Sequence, residues 1–222
     1  MPRIDLTAGD SKKHVARALK EIRAGYVVVA PLEHGYVYLA DAFSHFAVRA
    51  LHVLRGDEDG VAAQVLVYSA DTVSGIARDI SIDTQNLMKK FWPGLLSLNL
   101  KPNTGLNWDL GDDRELDLFS VRVPKAPFVR ALLKQSGPLA VASVAPSGAQ
   151  PIVKINRTEA KDWNVAAIFD KGALKSGPQS TVVEVSDAGL RLVRTGAITE
   201  AQLLTIVPTL MRSEEHTSEL QS

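Results

Sequence analysis

Short apolar runs of five or six residues recur along this chain, separated by segments of helical period, and they limit the fold more than any other feature. Tyr26 to Ala30 is one such run, and Gly35 to Ala40 follows closely. Runs of that length are too short for buried helices and fit strands covered on both faces. The other segments repeat at 3.6. Ser11 precedes Val15, Ala18, Leu19 and Ile22, with Gly25 as a stop, and Ser44 precedes Ala47, Val48, Leu51 and Leu54. Each serine is expected to cap a helix. The alternation predicts a layered α/β domain with a mixed sheet.

The same reading assigns strands to 64–68, 95–100, 118–123, 139–142, 165–169, 181–185 and 190–194. Helices are expected near 72–78, 84–90, 127–134 and 200–206. The polar stretch with Asp109, Asp112, Asp113 and Glu115 reads as a solvated loop. The segment Ser143 to Lys154, rich in Pro, Ser and Gly, reads as a loop of the kind that carries function. At 222 residues and 45% hydrophobic content the chain is ample for one domain and short for two. Equal numbers of basic and acidic residues leave no global field to draw it to nucleic acid or a membrane, so any anion site must be a local cluster. Cysteine is absent, and no signal peptide or membrane-spanning run is visible, so a cytoplasmic protein is expected. Residues 212–222 resemble the translation of a sequencing-library adapter and are set apart as non-native, leaving 1–211 as the domain.

Phosphate binding needs backbone amides that approach closely at glycine, hydroxyls at strand ends, and guanidinium groups that pair bidentately. Ser143, Ser147, Gly148, Ser180, Thr181, Arg55, Arg122 and Arg194 supply those parts. The ordinary alternative is turn chemistry plus surface arginines. No Walker loop, Gly-x-Gly-x-x-Gly or His-Glu-x-x-His is present.

A series of segments in fixed order adds to this. It comprises Val28-Val29-Ala30-Pro31-Leu32-Glu33, Leu54-Arg55-Gly56-Asp57, Phe91-Trp92-Pro93-Gly94, Val121-Arg122-Val123-Pro124, Ser143-Val144-Ala145-Pro146-Ser147-Gly148, Ser180-Thr181-Val182-Val183-Glu184 and Arg194-Thr195-Gly196-Ala197-Ile198. Together, from about Leu19 to Ile198, they resemble the YrdC-like family of L-threonylcarbamoyladenylate synthases. The resemblance implies a single domain with a twisted mixed sheet flanked by helices and a concave anion-binding groove. It implies that ATP, L-threonine and bicarbonate become threonylcarbamoyl-AMP and pyrophosphate, the first step of tRNA threonylcarbamoyladenosine modification. A tRNA threonylcarbamoyl transferase then acts downstream, and family members have been linked to double-stranded RNA. For this chain it implies nucleotide contacts at Arg55, Ser180 and Arg194 and threonine contacts at Arg122 and Ser143.

Several positions depart from the family pattern. Pro-Thr-(Asp/Glu)-Thr reads Pro31-Leu32-Glu33-His34 here, so two hydroxyls are replaced. His34 reads as an exposed loop histidine, with a recruited acid/base as the alternative. In an ungapped comparison the Lys-x-Arg pair falls on Arg55 and Asp57, which reverses the second charge. Repulsion in place of attraction beside a triphosphate would cost several kcal/mol, since one unit-charge contact at about 4 Å is worth roughly 4 kcal/mol at an effective dielectric of 20. Asp57 and Glu58 offer a Mg²⁺ site that would bridge the phosphates, and the plainer reading of this acidic run is a solvated turn. Ser-x-Asn becomes Ser143-Val144-Ala145. Leu118 stands where a hydroxyl to ATP is common. The Phe91–Gly94 segment reads as structural.

Three functions follow as expectations. The first is a divergent synthase acting by positioning and charge stabilisation. The second is a catalytically degenerate paralogue that binds nucleotide or double-stranded RNA. The third, a carbamoyl transfer like that of the YrdC-like domain of hydrogenase maturation proteins, fits less well because that domain usually sits in a much larger chain.

Overall fold

Both periods become elements close to where the sequence places them. The computed structural model describes residues 1–113, 115, 117–156 and 165–212. In chain order these form β1 (Arg3–Asp5), α1 (Ser11–Arg23), β2 (Val27–Pro31), β3 (Tyr36–Asp41), α2 (His45–Arg55), β4 (Gln64–Leu66), α3 (Ala70–Ile76), β5 (Ala77–Arg78) and α4 (Ile82–Phe91). Then come β6 (Leu96–Pro102), β7 (Phe119–Arg122), α5 (Pro127–Ser136), β8 (Leu139–Ser143), β9 (Val165–Asp170), β10 (Thr181–Ser186), β11 (Gly189–Arg194), α6 (Glu200–Leu204) and β12 (Met211–Arg212). The two- and three-residue strands β1, β5 and β12 are too short to show a period and escape a sequence reading. Of the suspected tail, Arg212 pairs with Leu192 in β12, and 213–222 lie outside the described residues.

The strands form one mixed sheet in the order β1-β9-β2-β3-β8-β4-β7-β6-β10-β11-β12, with β5 on β6. All five residues of β2 are buried, as an apolar run covered on both faces requires. Val27 and Val29 face one core with Tyr36 and Tyr38, while Val28 and Ala30 face the other with Val37 and Leu39. The first core takes Ala47, Val48 and Leu51 of α2 and Leu87 and Met88 of α4. The second takes Val15, Ala18, Leu19 and Ile22 of α1 and Val129, Leu132 and Leu133 of α5.

Two local expectations need correction. The cap of α1 is Asp10, whose carboxylate accepts from the Lys12 amide at 2.9 Å, and Ser11 is the first helical residue. Ser44 caps α2 as read, accepting from the Ala47 amide at 3.3 Å. The polar stretch after β6 is solvated only in part: Asp113 and Glu115 are exposed, but the segment before them is packed down. Trp108 and Leu110 are buried, Trp108 packs edge-on to Phe119 at 5.0 Å, and Asp112 is 7% exposed. The two apolar side chains fix the backbone and bring Asp109 and Asp112 down with them.

The second face matters for function. Helices α1 and α5 cover it over β2, β3 and β9. Farther along, over β4, β7 and β6, the period-2 positions of that same face become Gln64, Ser120, Arg122 and Ser97. A sheet face lined by polar groups has no reason to recruit a helix, and a groove forms there.

One buried polar device braces the rim. Tyr36, fully buried, shares its proton between Asp170 Oδ1 (2.6 Å) and the Gly172 carbonyl (2.7 Å) and accepts from the Lys171 amide (2.9 Å). Burial, and next the hydrogen bond to Asp170, push the phenol up to about 12. For Asp170 burial acts upward, but hydrogen bonds from Tyr36, the Gly172 amide and Arg3 outweigh it and hold the carboxyl below its usual range. Its stabilising contribution is therefore complete above the ordinary carboxylate value of about 3.9 and is lost as pH falls through the lower folded-state value. Tyr36→Phe is expected to cost about 1–3 kcal/mol in urea unfolding. Asp170→Asn should flatten the acid limb of stability against pH, and an unchanged limb would contradict the assignment.

Candidate functional site

The uncovered polar face is the floor of a groove of about 570 Å³. Arg55 from the end of α2, Arg122 from β7 and Arg194 from the end of β11 all line it, with Ser143 and Ser180. The Leu32–Gly35 turn, Pro146–Ala149 and Gly177–Gln179 form its rim, so the Pro/Ser/Gly-rich loop does reach the site.

Arg122 is 5% exposed. Its Nη1 donates to Glu33 Oε2 at 3.0 Å and to the Gly94 carbonyl at 3.3 Å, while its Nε is buried without a hydrogen-bond partner among the described residues. Glu33 Oε1 accepts from the Lys125 amide at 2.6 Å. The Phe91–Gly94 segment is structural, as read, and serves Arg122. Trp92 Nε1 donates to the Leu96 carbonyl at 2.7 Å, and the Gly94 amide donates to the Val123 carbonyl at 2.8 Å. Glu33 is a site residue the sequence reading did not single out. The signal was the acidic position kept between two replaced threonines.

Hydroxyls and amides continue across the floor. Gln64 Nε2 donates to Ser97 Oγ (2.8 Å) and Ser120 Oγ (3.0 Å), and Ser97 Oγ donates to Ser180 Oγ (2.9 Å). Arg194 Nη2 donates to the Ser180 carbonyl at 3.0 Å. Beneath, the fully buried Thr181 Oγ1 accepts from the amides of Gly196 and Ile198, each at 2.9 Å, and donates to the Ile198 carbonyl at 2.7 Å. One hydroxyl thus joins the 180–184 and 194–198 segments. A Cβ at Gly196 would lie 2.3 Å from the Gln179 carbonyl oxygen and 2.7 Å from that of Ser180. Gly196→Ala is therefore expected to displace the carbonyl that holds Arg194 and to cost about 1–3 kcal/mol in urea unfolding. An unchanged unfolding midpoint would show that the wall yields freely to the added methyl.

The departures fall out differently. Leu32 and His34 line the groove, whereas Asp57, Leu118 and Ala145 do not. His34 is not a free loop histidine. Its Nδ1 lies 2.9 Å from the Lys175 carbonyl, which only accepts, so that nitrogen carries the proton and the ring clasps the 175–177 loop. Ala145 is buried, with its amide on Ser143 Oγ at 3.1 Å. On β7 the hydroxyl that faces the groove is Ser120, two residues beyond Leu118.

Asp57 requires the largest correction. The turn itself is solvated, as the plainer reading expects, with Glu58 and Asp59 exposed, but the Asp57 carboxylate is turned inward and does not line the groove. Its side chain is 2% exposed, Oδ2 accepts from His52 Nδ1 at 2.8 Å, and Oδ1 lies 3.2 Å from Arg55 Nε without the alignment of a hydrogen bond. His52 Nε2 also meets the Leu110 carbonyl at 2.8 Å. Asp57 is thus an internal counter-ion that steadies Arg55. A carboxylate so enclosed does not fit a phosphate-bridging Mg²⁺, and no step is derived through one.

A mixed α/β domain with an arginine-edged groove on a polar sheet face describes a class of anion-binding proteins. The model of the Sua5/YciO/YrdC family, described as "Telomere recombination", matches residues 20–196, and the chain belongs to that family. It is 33% identical over 194 residues to a protein assigned as a threonylcarbamoyl-AMP synthase in Mycobacterium tuberculosis, covering 87% of this chain and 88% of the other. It is 28% identical over 197 residues to the threonylcarbamoyl-AMP synthase of Bacillus subtilis, covering 87% of this chain and 56% of that one. Among solved structures, Sua5 of P. abyssi complexed with L-threonine superposes with a TM-score of 0.82 at 23% identity, over 96% of this chain and 62% of the other. E. coli YciO superposes with a TM-score of 0.72 at 23% identity, over 88% and 94%. At such identities the structures bear on fold alone. No helix among the described residues is long and apolar enough to cross a membrane.

Proposed function

We propose that this chain is a threonylcarbamoyl-AMP synthase. The observation that carries the reading is the convergence of Arg55, Arg122 and Arg194, from distant stretches of sequence, on one groove. The names of the curated relatives support it. Arg122 would take the threonine carboxylate, since it is held by Glu33 and keeps a buried N–H to donate. Ser143 lines the same groove. Arg55, Ser180 and Arg194 would face the nucleotide.

The product fixes the bond changes. The threonine amine and bicarbonate join as a carbamate with loss of water, a carbamate oxygen bonds to the α-phosphorus, the bond from that phosphorus to the α–β bridging oxygen breaks, and pyrophosphate leaves. Developing charge on the phosphate oxygens is met by guanidinium groups already in place, so catalysis rests on positioning and charge stabilisation. The product would pass to a transferase acting on the adenosine beside a tRNA anticodon. The burial of Asp57 removes the main reason for a degenerate, nucleotide- or RNA-binding reading, because that carboxylate is not aimed at a triphosphate.

Pyrophosphate release should require ATP, threonine and bicarbonate together. No release at millimolar ATP with both co-substrates present would overturn the proposal.

A further inference from the structure

A second cavity lies next to the groove and has no part in the proposed reaction. It encloses about 700 Å³ between the N-terminal ends of α1 and α5 and the segment after β9. Its lining is largely apolar, with Leu6, Val15, Leu32, Phe128, Ala131 and Leu174. That volume and character match sites that take small organic molecules. Leu32 shapes it, so this replacement of a polar residue in the family pattern extends the apolar wall.

Charge around the cavity is one-sided. Lys12, Lys125, Lys171 and Lys175 line it, and no side chain of the four forms an ion pair among the described residues. The one carboxylate in the lining, Glu33, is already committed to Arg122 and the Lys125 amide. His14 also lines the cavity, and its Nδ1 is buried without a hydrogen-bond partner. The N-cap of α5, Ala126, supplies no side-chain acceptor for the first-turn amides. The N-terminus of α1 already carries the Asp10 carboxylate, but the uncapped N-terminus of α5 and the four lysine ammonium groups favour negative charge, and the imidazole of His14 is free to donate.

We propose that this cavity is a ligand site for a small amphipathic carboxylate, an organic anion with an aliphatic or aromatic body. The body lies on Leu6, Leu32, Phe128 and Leu174, and the carboxylate meets the lysine rim. Inorganic phosphate lacks the body, and a neutral alcohol lacks the charge. The inference goes beyond the synthase reading and does not depend on it. Leu32 and Glu33 form the wall shared by the two compartments.

Octanoate is a suitable probe, with octylammonium and 1-octanol as charge-reversed and neutral counterparts, each titrated into the full chain by calorimetry. Octanoate should bind at least about tenfold more tightly than either counterpart, and inorganic phosphate should not displace it. Ala131 is on the exposed side of α5 and lines the cavity, so Ala131→Trp should fill the space without unfolding the chain. This variant should lose octanoate binding by about tenfold or more while its unfolding midpoint and threonine affinity stay unchanged. Lys171→Glu with Lys175→Glu should weaken octanoate but not 1-octanol. Equal affinity for octanoate and octylammonium, no octanoate binding at about 10 millimolar (the weakest affinity worth assigning to a site), or indifference to Ala131→Trp would each overturn the proposal.

Discussion

Arg122→Ala should reduce kcat/KM for threonine by about ten- to a hundredfold, since a charge-assisted hydrogen bond is worth roughly 1.5–3 kcal/mol and each 1.4 kcal/mol is tenfold. The change removes the guanidinium expected to receive the carboxylate. It also leaves Glu33, whose side chain is 11% exposed, facing the groove with only the Lys125 amide as partner. Breaking a buried pair from one side costs about 3–5 kcal/mol, so the unfolding midpoint should fall as well. Arg122→Lys separates the two effects. A lysine can neutralise Glu33 but cannot reach the Gly94 carbonyl and a substrate carboxylate with the same planar fork. It should therefore recover most of the stability and little of the activity. If Arg122→Ala kept a normal KM for threonine, the carboxylate would have to bind elsewhere.

The second large effect runs against what the bare sequence suggests. Asp57 stands at a position where family members carry arginine, so Asp57→Arg looks like a repair. The structure predicts damage. The new guanidinium would enter a site where the side chain is 2% exposed, between Arg55 and His52, with no carboxylate left between them. An uncompensated buried charge costs about 3–5 kcal/mol, which for a chain of this size lowers the melting temperature by roughly ten degrees. ATP affinity should fall too, because Arg55 loses its counter-ion. Tighter ATP binding in a stable Asp57→Arg variant would show that the loop is shifted from the arrangement described.

How much of this was legible beforehand follows from the kind of signal each feature leaves. Strand β2 and helices α1 and α2 announce themselves by period, because burying a whole face of an element constrains many positions at once. Membership of the groove by Arg55, Arg122, Ser143, Ser180 and Arg194 followed from the order of short segments. The partners of those residues did not. Glu33 lies 89 residues from Arg122, and Gln64 lies 33 from Ser97, so no local pattern pairs them. Asp109 and Asp112 misled for the opposite reason, since a pair of buried apolar side chains decides where their nearest polar neighbours go. Asp57 was misread because a charge in a sequence has a sign but no direction.

Thr181 has a consequence for how this protein can change over time. Its single hydroxyl takes two amides and gives to one carbonyl in the segment between β11 and α6, fifteen to seventeen residues away. Neither stretch can drift by itself without leaving unbonded peptide groups in the dry interior. Lineages that retain this wall must therefore keep both halves or rebuild both, and substitutions at 181 and 196 should be found together or not at all.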